Sequence, residues 1–193
     1  MKKYLSIFSL LLILTACAPV ELPEVSVSYA PFDERPEGYS LEDAKRDDCV
    51  VFENDNITSG QEIWDDFVTL TQARHPAFVR LAFYYTLSSP DLYDPELYSM
   101  IKNSYPSLHI QDLEYDGEKY TITLIEDGQT LSFNYKFMKL FTGDLPSPDP
   151  EYSKYTRWVL VNEETMTWAR IERSLLTVQA FPINFRQVYA DLS

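Results

Sequence analysis

The chain has 193 residues, of which 45% are hydrophobic and 15% aromatic, so it is long enough for one globular domain and too apolar to be a disordered chain. Its formal net charge is −14, and a surface of that sign repels nucleic acid and anionic lipid headgroups, so we expect no nucleic-acid partner. Only five glycines are present, which disfavours a glycine-rich cofactor loop.

Residues 1–16 have the pattern of an export signal, because a start carrying two lysines precedes an apolar run that is too short to span a bilayer as a lasting helix. The run ends in four residues of defined type, Leu14-Thr15-Ala16-Cys17. This tetrapeptide resembles the lipobox of bacterial lipoproteins. The resemblance implies cleavage before Cys17 and its acylation, which anchors the chain to the cell membrane on the extracytoplasmic face. An ordinary secretory signal with an incidental cysteine is the alternative.

Residues 17–47 contain four prolines interspersed with acidic residues and show no sustained apolar period. Proline removes backbone donors and like charges repel, so this segment is predicted to be an extended, lipid-anchored tether. A single domain is predicted to cover residues 48–193.

Cys49 is the only cysteine besides Cys17, so lipidation of Cys17 leaves no pair for an intramolecular disulfide. Because two valines follow Cys49, we interpret it as the start of a short strand and as a small buried hydrophobe rather than a nucleophile. Residues 53–56 (Glu-Asn-Asp-Asn) then favour a turn.

Residues 59–74 carry the clearest helical pattern. Ser59 and Glu62 have the spacing of a capping box, and His75-Pro76 ends the helix. An apolar stripe at helical spacing is predicted to cover one face of a sheet, and it consists of Ile63, Trp64, Phe67, Val68 and Leu70.

Residues 78–85 are predicted to form a strand, and residues 88–107 a polar, proline-punctuated excursion. Asp94 before Pro95 indicates the start of a short helix within that excursion. Packing of this helix on the sheet edge is the preferred interpretation. A binding surface lined by its tyrosines (Tyr93, Tyr98 and Tyr105) is the alternative.

The strongest short-range signal is period-two alternation in residues 120–125 and 131–137, on either side of Asp127-Gly128. An Asp-Gly pair accepts the positive φ values of a two-residue hairpin turn, so this stretch predicts an antiparallel hairpin. A second pair, Asp116-Gly117, is predicted to join residues 110–115 to the same sheet, which makes a meander.

The C-terminal third gives weaker signals. Residues 142–155 contain three prolines and predict a loop, and residues 157–162 predict a strand. Residues 167–176 are interpreted as a returning antiparallel strand, although a helix also fits their spacing. Residues 184–192 favour a short helix. The fold class is therefore predicted to be α+β, with an antiparallel meander sheet of about five to seven strands and one main helix (59–74) packed on one face.

No residue pattern indicates catalysis. The two histidines, His75 and His109, lie in different elements, and no zinc-ligand spacing, nucleophile motif or phosphate loop occurs. We therefore assign no catalytic residue, cofactor or metal ligand, and the only site residue predicted is Cys17, as the point of lipid attachment.

The order of elements resembles a Gram-positive lipoprotein domain of unknown function. The resemblance is carried by Trp64-Asp65-Asp66-Phe67 in the helix and by Tyr115-Asp116-Gly117 before the meander. It implies a fold and a location but no reaction.

Three functional hypotheses follow. The preferred one is a non-catalytic, membrane-tethered binding or interaction module, with an unknown protein or saccharide as its ligand. The second is a hydrolase of cell-envelope polymer that uses paired carboxylates, which a cleft holding two carboxylates would favour. The third is a sugar- or peptide-binding domain, which contiguous exposed aromatic side chains would favour.

Overall fold

The computed structural model describes residues 29–31, 34, 38–145, 153–176 and 183–192. Within these residues the first sheet has the strand order β2-β1-β3-β4-β5-β6, and the second the order β7-β8-β9. The strands are β1 (Val50–Glu53), β2 (Asn56–Ser59), β3 (Ala77–Tyr85), β4 (Ser107–Tyr115), β5 (Tyr120–Glu126), β6 (Gln129–Tyr135), β7 (Phe137–Asp144), β8 (Lys154–Val161) and β9 (Phe185–Leu192). The helices are α1 (Leu41–Arg46), α2 (Gln61–Gln72), α3 (Pro95–Ile101) and α4 (Trp168–Leu176).

The mixed α+β class is confirmed, whereas a single meander with one main helix is wrong. The structure has two sheets and four α-helices in its described residues, and β1 pairs with β3 in parallel rather than antiparallel fashion. A parallel pair needs a crossover connection, and α2 supplies it between these two strands. The antiparallel part of the prediction holds for β3 to β6, which do form a meander.

Strand β3 lies inside the larger sheet and is buried on both faces. It pairs with β1 and, over its whole length, with β4. Val79 and Leu81 point to one face and are fully buried, and Arg80 and Ala82 point to the other with 3% and 0% exposure. The near-continuous apolar run of β3 is typical of a strand covered on both sides.

The face that carries Val79 and Leu81, here called the inner face, is covered by α2 and by the second sheet. Trp64 of α2 packs edge-on against Trp158 of β8 at 6.0 Å, and it belongs to the same buried cluster as Val79 and Leu81 of β3. The predicted apolar stripe of α2 therefore does pack on the sheet, and it does so alongside a layer that the sequence did not reveal.

The opposite, outer face is covered by the N-terminal part of the described chain. Helix α1 begins with a capping box in which Ser40 and Asp43 exchange hydrogen bonds, and its Ala44 is fully buried in a cluster that includes Cys49. Residues 41–46 were expected to be part of an extended tether, and that expectation is wrong, because they form α1. The sequence did not indicate this helix, since a six-residue segment with one buried alanine is too short to show a helical period. The wider division into signal, tether and domain stays a prediction.

A buried arginine on the outer face, Arg80 of β3, contacts both β4 and the N-terminal segment. The Arg80 guanidinium donates to both carboxylate oxygens of Asp112, at 2.7 and 2.9 Å, and lies 5.0 Å from the centre of the Tyr29 ring. Both side chains are largely shielded, with 4% and 13% exposure. Removing one partner of such a pair leaves a buried charge, so the pair holds the register of β3 against β4.

The predicted start of α2 is wrong. Ser59 belongs to β2 and pairs with Val51, so its side chain does not cap the helix. Gly60 is the residue before the helix, with φ of +79° and no side-chain cap. Ser59 fits both a helix cap and a strand position by sequence, and in the structure it is the last residue of β2, paired with β1.

Both Asp-Gly turns are confirmed. Asp127 and Gly128 have φ of 50° and 73°, and they join β5 to β6 without a register shift. In the other turn, the Asp116 carboxylate accepts hydrogen bonds from the backbone amides of Glu118 and Lys119, each at 2.9 Å. The second arm of the hairpin ends at Tyr135, two residues earlier than predicted, because the chain crosses to the second sheet there.

The C-terminal predictions fared less well. The strand predicted at residues 157–162 is confirmed as part of β8. The strand preferred for residues 167–176 is wrong, because Trp168–Leu176 form helix α4, and the helix preferred for residues 184–192 is wrong, because Phe185–Leu192 form strand β9. Strands β7 and β8 also extend into both ends of the predicted loop at 142–155, and residues 146–152 lie outside the described residues.

The excursion at 88–107 contains the predicted short helix. Asp94 caps α3 by accepting hydrogen bonds from the amides of Glu96 and Leu97, with Pro95 in the first turn. The helix has no buried residue, and Met100 is 74% exposed, so the preferred packing on the sheet edge is wrong.

Gly60→Ala should destabilise the protein strongly. A Cβ at this position would lie 2.7 Å from the Cys49 carbonyl oxygen and 3.0 Å from Val50 Cα, in addition to the strain of a positive φ. We expect a loss of about 2–4 kcal/mol in the free energy of unfolding, measured with urea. Gly128→Ala is the control, because it has a similar φ but no neighbour within 4 Å, and it should lose only about 1 kcal/mol. Equal losses in the two variants would contradict the close approach at Gly60.

Cys49 should make the protein less stable in alkali. Burial raises the pKa of its thiol from 9.0 to about 11, so the thiol is protonated in the folded state at a pH where the unfolded chain ionises. This stabilisation is complete below pH 9 and is lost as the pH rises from 9 to 11. Over that interval wild type should lose about 2–3 kcal/mol more unfolding free energy than Cys49→Ala. Parallel urea stability curves for the two proteins would contradict the buried thiol.

Candidate binding cleft

A cleft opens where the inner face of the larger sheet extends beyond the cover provided by the second sheet. Its volume is about 180 Å³. One wall comes from β1, β3 and β4 with the β1–β2 turn, and the other comes from five consecutive residues of β9, 186–190. The remaining lining residues are Phe52, Asp55, Phe83, Tyr85, His109 and Gln111.

The floor of the cleft is aromatic and rigid. Phe52 and Phe83 come from paired positions of the parallel strands β1 and β3, and their rings stack at 4.7 Å with an interplanar angle of 9°. Tyr189 of β9 packs against Phe52 at 5.3 Å and so fixes the opposite wall to the floor. Rings that pack in this way are held in one rotamer, and the shape of the cleft is therefore preformed.

A bulge in β9 directs two consecutive side chains into this region. The register between β8 and β9 shifts at Trp158/Val159, so that Val188 and Tyr189 both join the inner-face core. In a regular strand these neighbours would point to opposite faces. The bulge therefore builds the wall of the cleft at the edge of the second sheet.

Groups of both charges line the cleft. Asp55 lies in the β1–β2 turn with φ of 71° and accepts a long hydrogen bond of 3.4 Å from the Tyr85 hydroxyl. Burial, followed by the Asp55 carboxylate, raises the pKa of Tyr85 to about 12, so this hydroxyl is a donor at neutral pH. On the opposite wall the Arg186 guanidinium lies 5.5 Å above the Phe133 ring. His109 packs against Tyr85 with 6.2 Å between ring centres.

Exposed apolar side chains occur at the same end of the sheet. The excursion between β3 and β4 begins after Tyr85 and returns before Ser107, and it displays Leu92, Leu97 and Met100 at 72%, 47% and 74% exposure. Tyr105, which is 37% exposed, lies close enough to Tyr85 to contribute to raising its pKa. The excursion therefore carries exposed apolar side chains and places one of its residues, Tyr105, near the cleft.

Two further grooves lie at the opposite end of the sheets, each with a volume of about 440 Å³. They share Lys136 and Phe137, where the chain passes from β6 to β7, and both are lined by Glu118. Arg74 lines one of them and Lys119 the other. Each of the three grooves is thus lined by one carboxylate residue, Asp55 in the cleft and Glu118 in the other two.

The predicted site residue, Cys17, lies outside the described residues, so its role stays a prediction. Cys49 is fully buried, in agreement with its structural interpretation. Of the two histidines, His109 lines the cleft and His75 follows α2. The described ranges contain no cluster of three or more histidine, cysteine or acidic side chains that could hold a metal ion.

Asp55, Arg186 and Gln187 were not singled out from the sequence. Asp55 was assigned a turn role only, which the structure also shows, and Arg186 was placed in a helix that does not form. These residues come from elements more than 100 positions apart, and no local pattern connects them. The Asn54-Asp55 pair was the one sequence signal available at this position, and it indicates a turn rather than a site.

Comparison with known proteins identifies only the N-terminus. Residues 1–18 match the family model of the prokaryotic membrane lipoprotein lipid attachment site. No curated protein and no solved structure gives a significant match to the chain. None of the helices in the described ranges is long and apolar enough to cross a bilayer. The match at the N-terminus supports a bacterial lipoprotein that is anchored to a membrane through lipid.

Proposed function

We propose that this protein is an extracytoplasmic binding module that is held at the cell membrane by lipid on Cys17 and that receives an extended peptide segment in the cleft beside β9. The support for the anchor is the match of residues 1–18 to the lipid attachment site. The support for the binding role is the preformed cleft with one wall made of an edge strand.

The anchor would keep the cleft close to the membrane. Tyr29 lies twelve positions after Cys17 in the sequence, and it packs against Phe78 and Arg80 of the domain. Even a fully extended chain of that length spans at most about 40 Å. A lipidated Cys17 therefore restricts the domain to partners that are themselves at or near the membrane surface.

An extended peptide suits the cleft better than an enclosed small molecule does. The cleft volume of about 180 Å³ is below the roughly 300–1,000 Å³ of typical small-molecule sites, so it accommodates one side chain of a longer partner. Strand β9 is an edge strand of the second sheet, and five of its consecutive residues line the cleft. A peptide that lies along these five residues can bond to polar side chains such as Arg186 and Gln187, while the pocket accepts one of its own side chains.

The two other hypotheses receive less support. A glycoside hydrolase needs two carboxylates flanking the scissile bond, whereas each of the three grooves described above is lined by one carboxylate among the residues that the structure describes. A sugar-binding platform needs exposed ring faces, but Phe52 is 1% exposed and its ring is stacked on Phe83. The aromatic side chains more than 36% exposed in the described residues are Tyr105 and Phe133, which lie on separate elements.

Cys17→Ser should abolish lipidation. Wild-type protein in its native host should incorporate a clickable fatty acid, and the variant should show only background label, because the serine hydroxyl does not replace the thioether. Cys49→Ala is the matched control and should label like wild type, since Cys49 is buried. Protease added to intact spheroplasts should degrade the wild-type domain. Label retained by Cys17→Ser, or a protease-protected domain, would refute the anchor or the outward face, respectively.

Arg186→Gln should weaken peptide binding. The probe is a library of random extended peptides, selected on full-length protein in detergent micelles. Selected peptides should bind the variant about tenfold less tightly, because a charge-assisted hydrogen bond contributes about 1.5–3 kcal/mol. Lys119→Gln removes an exposed cation at the other end of the sheets and should bind like wild type. Peptides that discriminate Lys119→Gln but not Arg186→Gln would place binding in a different groove, and the proposed cleft would be wrong.

A further inference from the structure

In the part of the chain that the structure describes, strand β6 is an edge of the larger sheet, and it lacks the features that usually protect such edges. Its sequence, Gln-Thr-Leu-Ser-Phe-Asn-Tyr, has no charged residue, proline or glycine, and its pairing with β5 has no bulge. The other three sheet edges differ. Strand β2 is four residues long and bulged, β7 carries Lys139 and Asp144, and β9 is bulged and carries Arg186 and Asp191. Short length, charge and bulges are the devices that prevent edge-to-edge pairing.

The two-residue turn determines which backbone groups of β6 face outward. In such a hairpin the residues flanking the turn, Glu126 and Gln129, form a hydrogen-bonded pair, and every second pair after it does the same. The N–H and C=O groups of Thr130, Ser132 and Asn134 therefore point away from β5. All three residues are exposed, and no backbone partner for them occurs among the described residues.

We propose that β6 pairs antiparallel with β6 of a second copy of this chain, with Ser132 opposite Ser132 at the two-fold axis. This register places Thr130 opposite Asn134 of the second copy. Outward-facing residues then meet outward-facing residues over the full strand, which gives about six backbone hydrogen bonds. The larger sheets of the two copies become continuous. A two-fold, self-complementary contact of this kind closes on itself and does not propagate into a fibre.

The side chains are self-complementary in the same register. On the outer face the hydroxyl and amide groups of Thr130, Ser132 and Asn134 continue a polar ladder that already links β6 to β5, where Thr121 donates to Asn134 and the Thr123 and Ser132 hydroxyls lie 3.0 Å apart. On the inner face Leu131 lies opposite Phe133 of the second copy. Phe133 is 38% exposed in the single chain, and the contact covers it.

Charge complementarity favours a second copy over an unrelated strand. The register brings the acidic turn residue Asp127 next to Lys136 of the second copy, and the two-fold axis repeats this contact. Both side chains are exposed, and they lie at opposite ends of the same strand. A copy shifted along the strand would lose both contacts. Because the chain has a net charge of −14, these local contacts oppose a general repulsion and thereby restrict pairing to one register.

Disulfide trapping tests the register. Ser132→Cys in the full-length protein, oxidised with copper phenanthroline in its native membranes, should give a covalent dimer, since opposite Cα atoms in the proposed pair are about 5.5 Å apart and a disulfide accepts that distance. Thr130→Cys is the matched control, because Thr130 lies on the same strand and the same face as Ser132 and is also exposed. In the proposed register, however, it lies far from Thr130 of the second copy. This variant should remain monomeric, whereas the double variant Thr130→Cys/Asn134→Cys should crosslink.

Each outcome decides the proposal. Crosslinking of Ser132→Cys and of the double variant, without crosslinking of Thr130→Cys, supports it. Equal crosslinking of Ser132→Cys and Thr130→Cys indicates random collision and overturns it, as does the absence of dimer in both Ser132→Cys and the double variant. Ser132→Glu provides a check without introduced cysteines or amines, because two carboxylates at the axis repel each other and should abolish a dimer captured by an amine-reactive crosslinker in wild-type membranes.

Discussion

The burial of β3 on both faces is the constraint from which the other layers follow. A strand that presents Val79 and Leu81 to one side and Arg80 and Ala82 to the other needs cover on each. The inner side is apolar, and α2 with the second sheet closes it. The outer side contains a charge, and it is closed by Asp112 on the next strand and by the Tyr29 ring. The N-terminal segment is therefore part of the fold rather than only a connection to the membrane.

The same layering produces the cleft. The second sheet has three strands against the six of the first, so it leaves part of the inner face uncovered. At that uncovered end the β9 bulge brings Val188 and Tyr189 against the aromatic floor, and the β1–β2 turn contributes Asp55. The aromatic side chains hold the shape of the cleft, and its polar side chains supply directional contacts. Binding sites commonly combine an apolar lining with a few precisely positioned polar groups that determine specificity.

Local chemistry decided which parts of the fold could be predicted from the sequence. The two Asp-Gly turns and the strand before the excursion were correct because their signals lie within a few residues. The strand β9 was predicted as a helix because its bulge turns two neighbours inward, so that Phe185, Val188 and Tyr189 show the spacing of a helix face. Ser59 has the spacing to Glu62 that is typical of a helix cap, but it forms part of β2, because pairing with β1 depends on residues outside the local sequence pattern. The cleft residues could not be predicted from the sequence, because they come together only when β9 packs over β1 and β3.

Native-state hydrogen exchange of the full-length protein tests the central role of β3 most directly. If β3 is covered on both faces, the amides of residues 79–82 should exchange only through global unfolding and should be among the slowest in the chain. The amides of α3, which has no buried residue, should exchange far faster. Slow exchange concentrated in the second sheet, with residues 79–82 exchanging as fast as α3, would contradict the account.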